Sequence, residues 1–242
     1  MPSLPPERTP PSPARRRLVQ TIALISVAGT TTVSCDRARH AETPAPAAPE
    51  RLPSFFTDVE QTALRALCDR LIPHDEHGPG AVELGVPEFL DRHMRTPYAA
   101  GAIWYRAGPF LEASANFGYQ GRHSLREILQ IGLGALDAHV ARTFGAGKRF
   151  ASLAPADQDA TLKAAEAGTL AWPEISEKLF FAQLLNEVRN GYFADPAHGG
   201  NRGMGAWKMI GYPGVRADYL DWVGVRDRAY PIPPVDMAGR RG

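Results

Sequence analysis

Cysteine is nearly absent from this chain. Two occur in 242 residues, Cys35 and Cys68. No Cys-x-x-Cys or Cys-x-x-Cys-His run is present, so the sequence encodes neither a zinc ribbon nor a covalently attached c-type haem. Cys35 ends an apolar N-terminal stretch, while Cys68 falls on the apolar side of a predicted helix. The two are not expected to pair, and a lone thiol on such a face reads as an inert packing group. Other chemical signatures are missing too. There is no His-Glu-x-x-His and no Gly-x-Ser-x-Gly. The glycines between Gly200 and Gly205 stand in the wrong order for a dinucleotide fingerprint and follow no strand. Gly145-Ala146-Gly147-Lys148-Arg149 lacks both the leading glycine spacing and the closing Ser/Thr of a P-loop. No sign of charge dominates, since 27 basic residues face 26 acidic ones. With Arg8, Arg15, Arg16, Arg17 and Glu7 set aside the remainder is close to neutral, which offers no field for nucleic acid. Alternating runs of strand length and internal repeats are also lacking.

What is present begins with an address. Residues 1–35 read as an export signal. Arg15, Arg16 and Arg17 lead into Leu18-Val19 and the short apolar run Ile22 to Gly29. Tandem arginines before a modest apolar core fit the twin-arginine type. The run is shorter than the roughly 20 residues that span a bilayer; an uncleaved anchor is the alternative. Thr32-Val33-Ser34-Cys35 loosely matches a lipoprotein signal, which makes Cys35 a candidate for lipid attachment. Residues 36–53, rich in Ala and Pro, read as a linker. The twin-arginine route carries folded proteins, typically after cofactor insertion. The body shows no cofactor motif, so any cofactor is expected in a partner.

Residues 54–230 read as a single all-α domain of about six helices, with a long Gly- and aromatic-rich loop region toward the C-terminus and a flexible tail at 231–242. Thr57 and Glu60 form a capping box before Ala63, Leu64, Leu67, Cys68 and Leu71, and Pro73 stops that helix. Pro87 opens a short helix bearing Phe89, Leu90 and His93. Tyr98 to Phe117, interrupted by Pro109, is expected as two helical pieces or a kinked helix. Ser124 and Glu127 cap a long helix ended by Gly145. Another helix runs from Pro155 to Glu166, closed by Gly168. The segment from Ile175 to Asn190 is apolar on most sides and is expected to be the central helix, closed by Gly191.

His74-Asp75-Glu76-His77 is the one cluster with metal-binding residue types. It lies between Pro73 and Gly78-Pro79-Gly80, where a solvated turn is expected. A free-standing periplasmic enzyme using this turn, or a lipoprotein with a structural role, are the alternative readings of the chain. His139 reads as an ordinary helical histidine.

The run Asp195-Pro196-Ala197-His198-Gly199-Gly200-Asn201, continued by Gly205-Ala206-Trp207-Lys208-Met209-Ile210-Gly211-Tyr212-Pro213-Gly214, resembles the gluconate 2-dehydrogenase subunit 3 family. The segment Ala66 to Pro73, with Pro79-Gly80-Ala81 and Gly85 to Leu90, resembles it too, as does the arginine-rich start. The likeness covers roughly residues 55–215. His198 stands where the family often has Tyr. The resemblance implies a small subunit without chemistry of its own. It implies a large partner that carries FAD and oxidises an alcohol group of a sugar-like substrate, often completed by a multihaem c-type cytochrome. It also implies that this chain escorts the folded large subunit in export to the periplasm. No catalytic, cofactor-binding or metal-binding residue is expected in the chain itself. His198, Gly199, Gly200, Asn201, Arg202, Trp207, Tyr212 and Pro213 are the expected partner interface, because a segment without helical period is costly to order unless something packs on it, and Trp, Tyr and Arg are the types that anchor interfaces. The alternative is a loop that covers the chain's own core.

Overall fold

A computed structural model describes residues 53–104, 106–111 and 114–242. The signal expected over 1–35, with Arg15, Arg16, Arg17 and Cys35, lies outside the described residues, as does most of the linker.

Six α-helices make the body: α1 (Asp58–Leu71), α2 (Val86–His93), α3 (Leu125–Phe144), α4 (Pro155–Ala167), α5 (Glu177–Phe193) and α6 (Gly205–Ile210). Only isolated β-bridges accompany them among the described residues, so the fold is all-helical as expected. The starts are set by local chemistry. Thr57 and Glu60 satisfy each other's backbone donors at α1, with Thr57 N donating to Glu60 Oε2 at 2.8 Å. Ser124 and Glu127 repeat the box at α3, where Ser124 N donates to the Glu127 carboxylate at 2.6 Å. Each box closes two backbone groups that the first helical turn leaves open. Pro87 and Pro155 stand in the first turns of α2 and α4, where a missing N–H costs nothing.

Helix α5 is central and packs against each of the other five. Its Phe180, Leu184, Val188 and Tyr192 are buried, against Leu64, Leu67, Leu90, Leu129 and Leu136 in the same core cluster. Each such side chain contributes about 1.5–3 kcal/mol by leaving water. Cys68 is fully buried in this core, and burial pushes its thiol up to about 12, as an inert packing residue requires. Asp91 ties the chain entry to α2. Its Oδ1 accepts from Ser54 Oγ, Phe55 N, Phe56 N and Gln61 Nε2, and Arg95 pairs with its other oxygen. Burial alone would raise this carboxyl, but those donors together hold it below its ordinary value.

Two expectations are corrected. Between Tyr98 and Phe117 the described residues form turns and one 3-10 turn, Ala115–Phe117, rather than two helical pieces or a kinked helix. Pro97, Gly101, Gly108 and Pro109 interrupt every stretch long enough to propagate a helix. Gly191 does not close α5. The helix runs through it to Phe193, because the missing side chain is needed for packing: a Cβ there would collide with the Phe89 ring. Residues 231–242 form hydrogen bonds among themselves and with earlier parts of the chain. Val215 N donates to Val235 O at 2.8 Å, Gly242 N to Pro234 O at 2.9 Å, and Met237 N to Asp195 Oδ2 at 2.8 Å.

Candidate functional site

The segment after α5 is a compact knot rather than a long open loop. Two 3-10 turns, Pro196–His198 and Arg202–Met204, lead directly into α6. Asp195 opens the first turn by accepting from Ala197 N at 2.9 Å. Gly200 lies against the α5 backbone so closely that a Cβ would overlap the Gly191 carbonyl. Asn201 is fully buried in the left-handed region, φ 45°, which Asn tolerates better than most residues. Its amide joins two parts of the chain. Nδ2 donates to Ala194 O at 3.0 Å, and Oδ1 accepts from Ala206 N at 2.9 Å, capping the start of α6. Trp207 is 5% exposed, donates from its indole to Phe193 O at 2.9 Å, and meets Tyr212 edge-on. Asn201 and Trp207 therefore serve this chain's own packing. His198, Arg202 and Tyr212 stay exposed, Gly199 and Pro213 are half-buried, and Gly200 is buried.

The knot also joins the earlier segment on which the likeness rested. Arg202 N donates to Leu84 O at 3.1 Å, Tyr192 Oη donates to Pro79 O at 2.7 Å, and the Arg202 guanidinium reaches Glu88 at 3.5 Å. Two stretches more than a hundred residues apart in sequence thus form one structural unit around the end of α5.

A cleft of about 450 Å³ opens beside this unit, between α2, the end of α5 and the Pro196–His198 turn. Phe89, Arg92, His93, Tyr98, Asn190 and His198 line it. Phe89 and His93 stack with ring centroids 5.3 Å apart, and His93 meets Tyr98 at 5.5 Å. Under His93 lies Glu187, 1% exposed. Its Oε1 accepts from Asn190 Nδ2 at 3.2 Å and from Asn186 Nδ2 at 3.3 Å. Its Oε2 is 3.3 Å from His93 Nε2 but off the hydrogen-bond direction, and has no other partner. Burial raises the Glu187 carboxyl, outweighing the two amides that lower it. Burial, and then the nearby His198, lowers His93. The sequence offered one usable signal for this place: Glu187 follows Phe180 and Leu184 at helical spacing, which puts a carboxylate on a buried stripe.

The His74–His77 turn stands apart from all of this. His74 Nδ1 is 2.9 Å from Glu83 on the surface, and His77 lies 3.9 Å from Glu76. No group of three His, Cys, Asp or Glu side chains placed to hold a metal occurs among the described residues, so the metal-enzyme alternative is not favoured.

Apolar exposure is concentrated in two segments. Tyr98, Ile103, Trp104, Phe110, Leu111, Phe117 and Tyr119 lie in the first. Met209, Ile210, Tyr212, Val215, Tyr219, Leu220, Val223, Val225, Ile232 and Met237 lie in the second. Among the described residues only Val59, Phe144 and Phe193 are large, apolar and exposed elsewhere. Sequence reasoning placed the interface on the knot and passed over Phe117, Leu220 and Val223, the most exposed of these. Their signal was aromatic and aliphatic residues without a helical period.

No curated protein and no solved structure matches the chain. A family model does match, over residues 58–214, from the start of α1 past α6 to the glycine that follows Pro213, and it is described as gluconate 2-dehydrogenase subunit 3. With the two segments of likeness folded into one unit and more than half of the sequence covered, the chain belongs to the gluconate 2-dehydrogenase subunit 3 family.

Proposed function

We propose that the chain is a non-catalytic subunit that docks on, stabilises and escorts an FAD-carrying dehydrogenase subunit acting on a sugar-like alcohol. One observation carries the reading: nearly all large exposed apolar side chains fall in two segments, 98–119 and 209–237. Surfaces of that kind mark interaction sites when they are contiguous, and aromatic residues with Met are enriched at interfaces. The family name supplies the partner class, other subunits of a gluconate dehydrogenase complex. Export through Arg15, Arg16 and Arg17 would place the complex in the periplasm, and acylation of Cys35 would tether it to the membrane. A multihaem c-type cytochrome would take the electrons. None of these steps asks for a catalytic group in this chain.

The test is co-purification of the tagged chain with its large subunit, read by flavin absorbance. Leu220→Glu with Val223→Glu, and separately Leu111→Glu with Phe117→Glu, are expected to lower recovered flavin. A tenfold loss of affinity corresponds to about 1.4 kcal/mol, below the usual hot-spot scale of about 2 kcal/mol. Unchanged recovery in both double variants would remove the docking assignment.

A further inference from the structure

We propose that the cleft between α2 and the end of α5 is a binding site for an organic carboxylate, with Arg92 as its fixed cation. Arg92 lies outside the apolar segments of the docking reading, which share only Tyr98 with the wall of this cleft.

Arg92 is the starting point. Its guanidinium lies over Gly199, in the space a side chain there would fill, and its Nε donates to Glu88 O at 3.4 Å. Among the described residues no carboxylate lies within ion-pair distance of it. Glu88, one turn earlier on α2, is already engaged. It pairs with Arg65 at 3.0 Å and with Arg202 at 3.5 Å. Glu187, beneath His93, is buried, and burial raises its carboxyl. Among the described residues Arg92 thus brings to the cleft a cation without an ion-pair partner, beside two imidazoles, His93 and His198, which can donate to an anion. Asn190 adds an amide.

The rest of the wall selects the kind of anion. The stacked faces of Phe89 and His93, and Tyr98 beyond them, form an aromatic side. An inorganic anion would leave those faces wet and gain nothing from them. A carboxylate with a flat or hydrocarbon body places its charge at Arg92 and its body on the rings, a division of labour typical of ligand sites. The fork of a guanidinium matches the two oxygens of a carboxylate. The volume, about 450 Å³, admits a molecule of one ring or a short polyhydroxylated chain. The same chemistry could be supplied by a free acid or by an acidic side chain of a partner subunit.

Binding to the purified full chain is measured by titration calorimetry and by the histidine ring resonances. The probes are benzoate and D-gluconate, against their uncharged counterparts benzamide and sorbitol. At least one acid is expected to bind saturably and at least tenfold more tightly than its counterpart. It is expected to shift the His93 and His198 signals, and to lose tenfold or more in Arg92→Gln. That variant should melt normally, since Arg92 is exposed. If neither acid binds, but Arg92→Gln lowers recovery of the large subunit tenfold while Arg92→Lys restores part of it, the carboxylate comes from the partner. Equal binding of charged and uncharged probes overturns the proposal. So does the absence of acid binding together with normal partner recovery in Arg92→Gln. Failure of the docking reading would appear instead in the Leu220 and Val223 variants, which do not touch Arg92.

Discussion

The knot at 195–210 and the apolar segments at 98–119 and 215–232 draw on the same residue types, glycine, proline and aromatics, and use them in opposite ways. In the knot the glycines admit neighbouring backbone and side chains, Asn201 satisfies two backbone groups, and Trp207 points into the protein. In the outer segments the rings pack mostly on one another. Tyr230 gathers Tyr219 and Trp222 with centroids 6.0 and 5.2 Å away, and Arg216 lies 5.5 Å from its ring centre. Leu220 and Val223 are left facing solvent, 77% and 78% exposed. Composition without period therefore does not identify an interface. What separates the two regions is where the side chains go: Asn201 and Trp207 are buried within the chain, whereas Leu220 and Val223 leave apolar surface exposed.

The largest expected effect lies in the knot. Trp207→Ala should destabilise the chain by about 3–5 kcal/mol, the range for removing a buried large aromatic. For a domain of this size that is a fall in melting temperature of roughly 10 °C. Asn201→Ala should cost about 2–4 kcal/mol, because the Ala206 N–H and the Ala194 carbonyl lose their partner in a buried setting. The two will not add, since both changes loosen the start of α6. Thermal and urea unfolding of the isolated chain measures this. If Trp207→Ala melts normally and only partner recovery falls, the distinction between the two regions is lost and Trp207 belongs to the interface.

Much of the fold was legible in the sequence, for local reasons. The capping boxes at Thr57 and Ser124, the prolines at 87 and 155, and the closing Gly145 and Gly168 act within one helical turn, so they can be read without knowing the fold. What was not legible depends on distant contacts. Gly191 looked like a helix terminator but is a packing glycine, against Phe89, which is remote in sequence, and against Gly200. Residues 231–242 carry no period, and their hydrogen bonds go to Pro213, Val215 and Asp195. The candidate site shows the same division. His198, Gly200, Asn201 and Trp207 stood out by composition, yet which of them face inward followed only from the fold. Arg92, His93 and Glu187 sit on ordinary helical stripes and become a cleft only when α2 meets α5.

That cleft is where the two regions meet. His198 comes from the knot, while Tyr98 touches Trp104 of the outer segment at 5.3 Å. Glu187→Gln probes this border. The Glu187 carboxyl is raised in the folded chain, so the folded state holds its proton more tightly than the unfolded state. Its favourable contribution is full below the unfolded value of 4.5 and is lost as pH rises through the folded value. Glutamine has no proton to lose, and its carbonyl can still accept from Asn186 and Asn190. The variant should therefore be more stable than the parent at pH 8, with the gap closing toward pH 4.5. His93 acts in the other direction, and in both proteins. Its lowered value removes stability as pH falls from 6.5 through the folded value. Melting curves from pH 4.5 to 8 separate the two slopes. A variant less stable than the parent at pH 8 would mean that Glu187 is ionised there and paired with a charged His93.

The smallest expected effect on stability lies at the outermost residues. Leu220→Ser and Val223→Ser should each change unfolding free energy by no more than about 0.5 kcal/mol, as for surface substitutions away from structural features. Neither side chain is buried in the isolated chain, so its removal forfeits little area. Some stabilisation is even expected in practice as reduced self-association, because an exposed apolar patch promotes aggregation. The informative contrast is with Trp207→Ala measured under the same conditions. A normal melt with poorer recovery of the large subunit marks a surface reserved for a partner. A loss of about 2 kcal/mol or more from Val223→Ser alone would show that residues 215–232 pack on this chain's own body in solution. The outer segment would then be a second knot, and residues 98–119 would be left as the docking surface.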